Sequence, residues 1–216
     1  SAGAKAVSFR QGSGANVSNN AGAIIYAETN TISGNHSDTE NATITNSGTI
    51  YSTDASTNTI KFDSASTGNS IVNNTGGEIY TEGTGATIKL GASSTLTNSG
   101  TIKTGSVSSR AINAAGSNNT ITLKDDGKII GIISSASGTT GNKLQMQHGF
   151  GQGYFYDTSG DFTLEDLDGN QVVKGSAGSV GQGGSETLDE LLGYKSLNIR
   201  KSLNRYKKSK SFLEGK

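Results

Sequence analysis

The sequence repeats one short phrase, and this repeat restricts the possible folds more than any other feature. Asn-Ser-Gly-Thr-Ile occurs at 46–50 and again, identically, at 98–102. Looser copies lie at 20–24, 76–79 and 126–129. Such self-similarity, loose enough to admit loop insertions, is typical of solenoids. The glycines that precede X-Ile are Gly22, Gly48, Gly77, Gly100 and Gly127, with spacings of 26, 29, 23 and 27 residues.

Two further apolar runs fall between consecutive glycines, so each coil is expected to contain three strands. Successive side chains of a strand point to opposite faces, which places Ile60 and Phe62 inside and Lys61 in solvent. The sequence therefore predicts an all-β, right-handed parallel β-helix with three sides over residues 1–140, in which Ile50 and Ile79 stack. One run comprises residues 31–32, 60–62, 88–90 and 111–112, and the other comprises 44–45, 71–72, 96–97 and 121–123.

The corners between strands are rich in asparagine and glycine, which tolerate positive φ and form side-chain bonds to the backbone. Asparagine recurs at one corner, at Asn46 and Asn98, so stacked amides are expected to hydrogen-bond along the axis. Hydrophobic residues make up only 31% of the chain and its net charge is zero. The regular placement of Ile, Leu and Val favours a solenoid over disorder. The corner residues favour one folded chain over an amyloid-like stack of separate chains.

The sequence changes character after residue 140. Residues 141–175 contain more aromatic and acidic side chains, and they are predicted to form a β cap of antiparallel strands at 154–156, 161–164 and 171–173. Residues 176–185 are expected to be a Gly/Ser linker. Residues 186–216, with eight basic and four acidic side chains, are predicted to form a basic amphipathic helix. Its apolar face comprises Leu188, Leu192, Ile199, Leu203 and Tyr206.

No catalytic, cofactor-binding or metal-binding residue is predicted. Neither His36 nor His148 has a second ligand at a suitable spacing, and 166–170 fits a turn better than a calcium loop. Arg110 is the only arginine between Arg10 and Arg200. A sugar-cleaving enzyme needs converging carboxylates, but the acids of the coils do not recur in adjacent copies of one strand. Those acids are Glu28, Asp38, Glu40, Asp54, Asp63, Glu78 and Glu82.

Other classes of function lack the residues they require. The chain has no cysteine, which excludes disulfides and thiolate metal sites. No apolar run approaches 18 residues, so no membrane span is expected. No glycine-rich phosphate loop lies between a strand and a helix, and neither nucleotide nor nucleic-acid binding is predicted. Residues 1–4 do not have the composition of a signal peptide.

The repeats at 46–50 and 98–102, the Gly/Ser/Thr/Asn bias, the absence of cysteine and the basic C-terminal helix together resemble the passenger domains of Gram-negative (type V) autotransporters. In that family a β-helical passenger precedes a helix that leads into an outer-membrane barrel. The resemblance covers residues 17–133 through the repeats and 186–210 through the helix. Phage tailspikes, surface adhesins and polysaccharide lyases use similar coils.

The resemblance implies a protein exported through the periplasm and outer membrane, either secreted or displayed on the cell surface, without enzymatic activity. Compact passengers of this family include a pro-angiogenic virulence factor that activates an endothelial growth-factor receptor. A host cell-surface protein is therefore the expected partner, with glycosaminoglycan contact through the basic tail as an addition. The loops after Tyr26, Tyr51, Tyr80 and Thr104 are the expected contact points. An adhesin, a structural stalk and a β-helical polysaccharide lyase or hydrolase are the alternatives.

Overall fold

A computed structural model describes residues 5–125, 127–147 and 156–170, which form 21 strands. The strands are β1 Val7–Ser8, β2 Gly12–Ser13, β3 Asn16–Asn19, β4 Ile24–Ala27, β5 Ile32–Gly34, β6 Thr39–Glu40, β7 Thr43–Asn46, β8 Thr49–Ser52, β9 Ile60–Phe62, β10 Ser70–Asn73, β11 Glu78–Thr81, β12 Ile88–Leu90, β13 Thr95–Asn98, β14 Thr101–Lys103, β15 Arg110–Ala114, β16 Thr120–Leu123, β17 Lys128–Ile130, β18 Ile132–Ser135, β19 Lys143–Met146, β20 Asp157–Ser159 and β21 Thr163–Asp166.

Three parallel sheets form the sides of the molecule. The first sheet contains β1, β5, β9, β12, β15, β18 and β20, and the second contains β3, β7, β10, β13, β16, β19 and β21. The third contains β4, β8, β11, β14 and β17, and a small extra sheet joins β2 to β6. Each strand pairs with its equivalents in the coils before and after it, so the chain winds as a β-solenoid of about six turns. The predicted all-β parallel solenoid is confirmed.

The interior consists of columns of aliphatic side chains, one from each coil. Ile50 is the register partner of Ile79, which is the partner of Ile102, and all three are fully buried. Since one coil buries its apolar residues only against the next, stability comes from stacking. The three predicted runs of strands form the three sheets, and the expected alternation in β9 is present. Two further buried columns are Ile44, Ile71, Leu96 and Ile121, and Ile60, Ile88, Ile112 and Ile133.

A ladder of buried asparagine amides runs along one corner of the solenoid. The Nδ2 of Asn19 donates to Oδ1 of Asn46, Asn46 donates to Asn73, and Asn73 donates to Asn98, each at 2.8 Å. Asn46 Nδ2 also donates to the Gly48 carbonyl at 3.0 Å. Buried amides are costly unless they are bonded, and here each coil satisfies the next. The predicted amide stacking is confirmed.

A second set of buried asparagines, which was not predicted, stabilises another corner of the solenoid. The Oδ1 atoms of Asn69, Asn119 and Asn142 accept backbone N–H groups from the preceding coils. The donors to the first two are Ala42 and Ser94, at 3.0 and 2.9 Å. These bonds complete the ladder of backbone hydrogen bonds where the chain turns away from the sheet.

The repeat at 20–24 is displaced by one residue from the expected alignment. Ile25, rather than Ile24, pairs with Ile50, and Ile24 is 66% exposed. Gly22 has a φ of 78° and stands one residue before the position of Gly48. The choice of Gly22 as the repeat glycine was therefore wrong, because this glycine provides the left-handed corner and Ala23 occupies the strand-entry position.

The antiparallel cap expected within 141–175 is wrong where the structure describes it. β19 and β21 add to the second sheet and β20 adds to the first, all in parallel. Residues 157–160, which would connect the first two of the predicted antiparallel strands, contain strand β20. Leu144 and Leu164 extend the aliphatic column of earlier coils, so the solenoid period continues here. His148, residues 154–155 and 171–173, the 176–185 linker and the 186–216 helix lie outside the described residues.

Gly34 leaves a gap that two phenylalanine rings share. Gly34 pairs with Phe62 in register, and a Cβ on Gly34 would lie 2.8 Å from the Phe62 ring. The ring of Phe9, from the first coil, stacks on Phe62 with a centroid distance of 6.4 Å. Coils are about 4.8 Å apart, so this contact spans two coils only because the side chain between them is missing.

Replacement of Asn73 tests the amide ladder. Asn73→Ala removes the acceptor of the Asn46 amide and the donor to Asn98 from a fully buried column. We therefore expect the free energy of unfolding to fall by about 3 kcal/mol. Asn74→Ala is the matched control, because Asn74 is only half-buried and its amide bonds Ser47 alone. Its expected loss is below about 1 kcal/mol. Equal losses in urea unfolding followed by circular dichroism would contradict a structural role of the ladder.

Replacement of Gly34 tests the shared gap. Gly34→Ala is expected to destabilise the protein by about 1–3 kcal/mol, because the new methyl group overlaps the Phe62 ring. Phe62→Leu in the same chain should recover part of that loss, since the smaller side chain makes room. A double variant whose loss is the sum of the two single losses would show that the positions do not interact. Thermal unfolding of the four proteins provides the measurement.

Candidate protein-binding face

A tyrosine ladder lies on the outer face of the third sheet. Tyr26, Tyr51 and Tyr80 are register partners in successive coils, and their rings stack at centroid distances of 4.9 Å. The interplanar angles are 27° and 6°. Tyr26 is 46% exposed, and Tyr51 and Tyr80 are half-buried. Because each ring fixes the next, the three phenols are presented to solvent with little conformational freedom.

Lys103 closes one end of the tyrosine ladder. It is the register partner of Tyr80, and its ammonium lies 4.5 Å from the centroid of the Tyr80 ring. The same ammonium pairs with the carboxylate of Glu78 on the neighbouring strand. The cation therefore has both a ring face and a counter-charge, and it covers the face of Tyr80 that would otherwise be open.

Loops follow the first four strands of the third sheet, β4, β8, β11 and β14, and neighbouring loops hydrogen-bond to one another as the strands do. Asp54 N donates to the Glu28 carbonyl at 2.8 Å, and Thr84 N donates to the Ala55 carbonyl at 2.8 Å. Gly83 lies so close to the preceding loop that an added Cβ would be 2.3 Å from the Asp54 carbonyl oxygen. The backbone ladder thus continues from the sheet into the loops.

Hydroxyl groups fasten the bases of these loops to the core. The Ser52 and Thr59 hydroxyls, at the two ends of the loop between β8 and β9, are 2.8 Å apart. Thr59 Oγ1 also lies 2.6 Å from the Tyr80 carbonyl, to which it donates. Thr31 and Thr87 are buried at equivalent positions and donate to the Tyr51 and Lys103 carbonyls. The loops beside the tyrosine ladder are therefore anchored at both ends.

Acidic side chains border the tyrosine ladder. Glu28, Asp54 and Glu82 lie in the stacked loops, and Glu78 lies on the sheet. The Ser56 backbone N–H, 2.7 Å from Asp54 Oδ1, lowers the pKa of that carboxyl, and the Ser56 hydroxyl adds to the effect. An acid with a lowered pKa suits charge recognition, whereas a general acid of sugar cleavage requires a raised one.

Two of the acidic side chains weighed for catalysis lie beside a basic group. Glu78 is paired with Lys103, and Asp38 lies 3.5 Å from His36. No group of three or more potential metal ligands occurs among residues 5–125, 127–147 and 156–170. No helix within those ranges is long and apolar enough to cross a membrane.

The 166–170 segment is a turn closed by its first side chain. Asp166 Oδ1 accepts the backbone N–H groups of Asp168 and Asn170 at 2.9 and 2.8 Å. Asp166 Oδ2 accepts the Asn170 side-chain amide at 2.9 Å, and Gly169 adopts a φ of 81°. Backbone and amide donors therefore occupy the carboxylate that a calcium loop would direct at its ion.

The stacked loops contain the four positions that the sequence analysis selected, after Tyr26, Tyr51, Tyr80 and Thr104. The stacking of the tyrosine rings was not predicted. Tyr51 and Tyr80 each follow the repeat isoleucine, but the expected alignment of 20–24 placed Tyr26 out of register with them. Comparison of the chain with protein-family models, curated proteins and solved structures finds no match. The candidate face is therefore defined by its geometry alone.

Ionisation of Tyr80 tests the environment of the ladder. Burial raises the pKa of the Tyr80 phenol above its ordinary value of 10.0, and the phenol of Tyr51 and the carboxylates of Glu78 and Glu82 add to the effect, whereas Lys103 opposes it. The folded chain therefore retains a proton that the unfolded chain releases. The neutral phenol therefore contributes to the free energy of unfolding. This contribution is fully present below about pH 10 and is lost as the pH rises through the raised pKa of Tyr80.

The pKa of Tyr80 can be measured from the tyrosinate absorbance of the wild-type protein minus that of Tyr80→Phe. We expect this difference to titrate at a higher pH than a free tyrosine amide. Lys103→Met should raise the pKa further, because the opposing cation is removed. A transition at the pH of free tyrosine, or a lower pKa in Lys103→Met, would contradict the described environment.

Proposed function

We propose that the chain is the passenger of a Gram-negative autotransporter, a right-handed β-helix that is exported across the periplasm and outer membrane. It is secreted or displayed on the bacterial surface, where it binds a host cell-surface receptor and catalyses no reaction. The tyrosine ladder and its stacked loops form the contact surface. This proposal combines the sequence resemblance with the one surface on which aromatic side chains are aligned and fixed among the described residues.

The tyrosine ladder is the observation that carries the proposal. Tyrosine is enriched at the centres of protein interfaces because it combines apolar area with a hydroxyl that can hydrogen-bond. Three stacked rings have already lost most of their side-chain freedom, which reduces the entropic cost of binding. The exposed side chain of Ile24 lies in the same strand as Tyr26 and adds apolar area at that end.

The acidic border indicates the chemistry of the partner. Glu28, Asp54 and Glu82 lie in the loops that follow the three strands and give one edge of the aromatic centre negative charge. A complementary receptor surface would present an apolar or aromatic patch bordered by arginine or lysine, because opposite potentials speed association and exclude wrong partners. The resemblance points to an endothelial growth-factor receptor, which makes the protein a pro-angiogenic virulence factor. Adhesin and structural stalk are the alternative functions.

Binding to intact endothelial cells tests the proposal. The purified chain would be cross-linked to the cell surface, the captured protein identified, and receptor tyrosine phosphorylation followed. A Tyr26→Thr, Tyr51→Thr variant keeps β-branched residues in the strands and removes two rings. We expect at least about a tenfold loss of receptor affinity and of phosphorylation, because truncation of an interface tyrosine costs about 2 kcal/mol.

A second variant, Val72→Ser with Thr97→Ser, is the matched control. Both residues point outward from neighbouring strands of the second sheet, so the variant makes a comparable change on another side. It should capture the receptor and trigger phosphorylation as the wild-type protein does. Capture without phosphorylation would indicate an adhesin, and no specific capture would indicate a stalk. Equal losses in both variants would show that the tyrosine face is not the contact surface.

A further inference from the structure

A cleft at the N-terminal end of the solenoid collects basic and amide side chains from the first two coils. It has a volume of about 690 Å³ and is open to solvent. Lys5, Phe9, Arg10 and Gln11 come from the first coil, and Asn35 and His36 come from the second. These two groups are about one solenoid period apart in sequence, so only the stacking of coils brings them together.

Lys5 and Arg10 give the cleft two positive charges. Lys5 and Arg10 are both exposed, and neither forms an ion pair with any residue that the structure describes. Among the described residues, no carboxylate lines the cleft. An anion in this position would contact two cations that have no ion-pair partner in this part of the chain, and the arginine could hold a sulfate or carboxylate with two hydrogen bonds.

His36 lies at the side of the cleft between Gln11 and Asp38. Its Nε2 is 3.1 Å from the Gln11 amide nitrogen and its Nδ1 is 3.2 Å from the Asp38 backbone nitrogen, and the neutral ring, which has a single acceptor nitrogen, accepts from one of these two donors. The Asp38 carboxylate is 3.5 Å from the same Nδ1. Gln11 and His36 therefore contact each other across successive coils, which gives the cleft a defined wall.

Phe9 adds an apolar surface to this cationic cleft. Its ring stacks on Phe62 over the gap at Gly34, yet Phe9 is only partly buried and lines the cleft. Small-molecule sites combine apolar and aromatic walls with a few polar groups that fix orientation. A free inorganic anion would make no use of the ring, whereas the C–H face of a sugar ring packs on an aromatic surface. Gln11 and Asn35 can hydrogen-bond sugar hydroxyls.

We propose that this cleft binds an acidic sugar, with Lys5 and Arg10 on its sulfate or carboxylate groups, Phe9 against the ring, and Asn35 and Gln11 on hydroxyls. The site is separate from the tyrosine ladder, which lies on the third sheet. An acidic carbohydrate on a host surface would thus be a second ligand, held at one end of the solenoid. The basic segment 186–216 is a competing location for such contact.

Titration calorimetry of the full chain with a heparin-derived hexasaccharide tests the proposal, with the desulfated, N-acetylated hexasaccharide and a hexaglutamate peptide as comparison ligands. Lys5→Gln with Arg10→Gln should weaken binding of the sulfated sugar about tenfold or more. Phe9→Leu should weaken it several-fold, because packing on Phe62 is largely retained while the flat ring surface is lost. Lys207→Gln with Lys208→Gln removes the same charge from the basic segment and should leave binding unchanged.

Four outcomes would overturn the proposal. The first is that the wild-type chain does not bind the sulfated sugar. The second and third are an equal loss of sugar affinity in the two double variants and a loss confined to the Lys207, Lys208 variant. The fourth is that hexaglutamate binds as tightly as the sugar. The first outcome would show that the chain does not bind the sugar, and the second and third would place binding outside the cleft. The last would show that the cleft recognises negative charge rather than a sugar. Tyr26→Thr with Tyr51→Thr should keep its sugar affinity, so failure of the sugar site and failure of receptor binding can be told apart.

Discussion

Amide-to-amide hydrogen bonding along the buried asparagine column sets the alignment of the first four coils. A coil displaced by one residue would bury an unbonded amide and turn its aliphatic side chains to solvent. The column from Asn19 to Asn98 therefore selects one register, and the aliphatic, threonine and tyrosine columns follow from it. Beyond Asn98 the same position holds Leu123 and Met146, so the later coils rely on apolar packing instead.

Much of the solenoid is predictable from sequence because two periods coincide in it. Alternation within a strand identifies the buried side chains, and recurrence between coils identifies the residues that stack. The two periods conflict at Gly22, which forms a left-handed corner but resembles the strand-entry glycine of other coils. The sequence is also misleading after residue 140, where the aromatic and acidic composition suggested hairpins although Leu144 and Leu164 continue the column.

The candidate sites are less visible in the sequence than the fold. The three tyrosines can be found from the repeat, but their contact depends on the register around Ile25, which local sequence misplaces by one residue. The N-terminal cleft has no local signal, since Arg10 and His36 approach one another only after the first coil closes. Thr59 looks like an ordinary strand residue in the sequence, although its hydroxyl joins two coils.

The contact between Ser52 and Thr59 has a consequence for how such a protein can diversify. Because the two ends of the loop are fixed to each other and to the next coil, the chain enters β9 at a place that these bonds hold, whatever the length of the loop tip. Extra residues in this loop lower the stability of the protein only slightly, since the entropic cost of closing a loop grows slowly with its number of residues. New recognition sequences can thus be exchanged at this side without redesign of the scaffold, much as variable segments are carried by a constant frame.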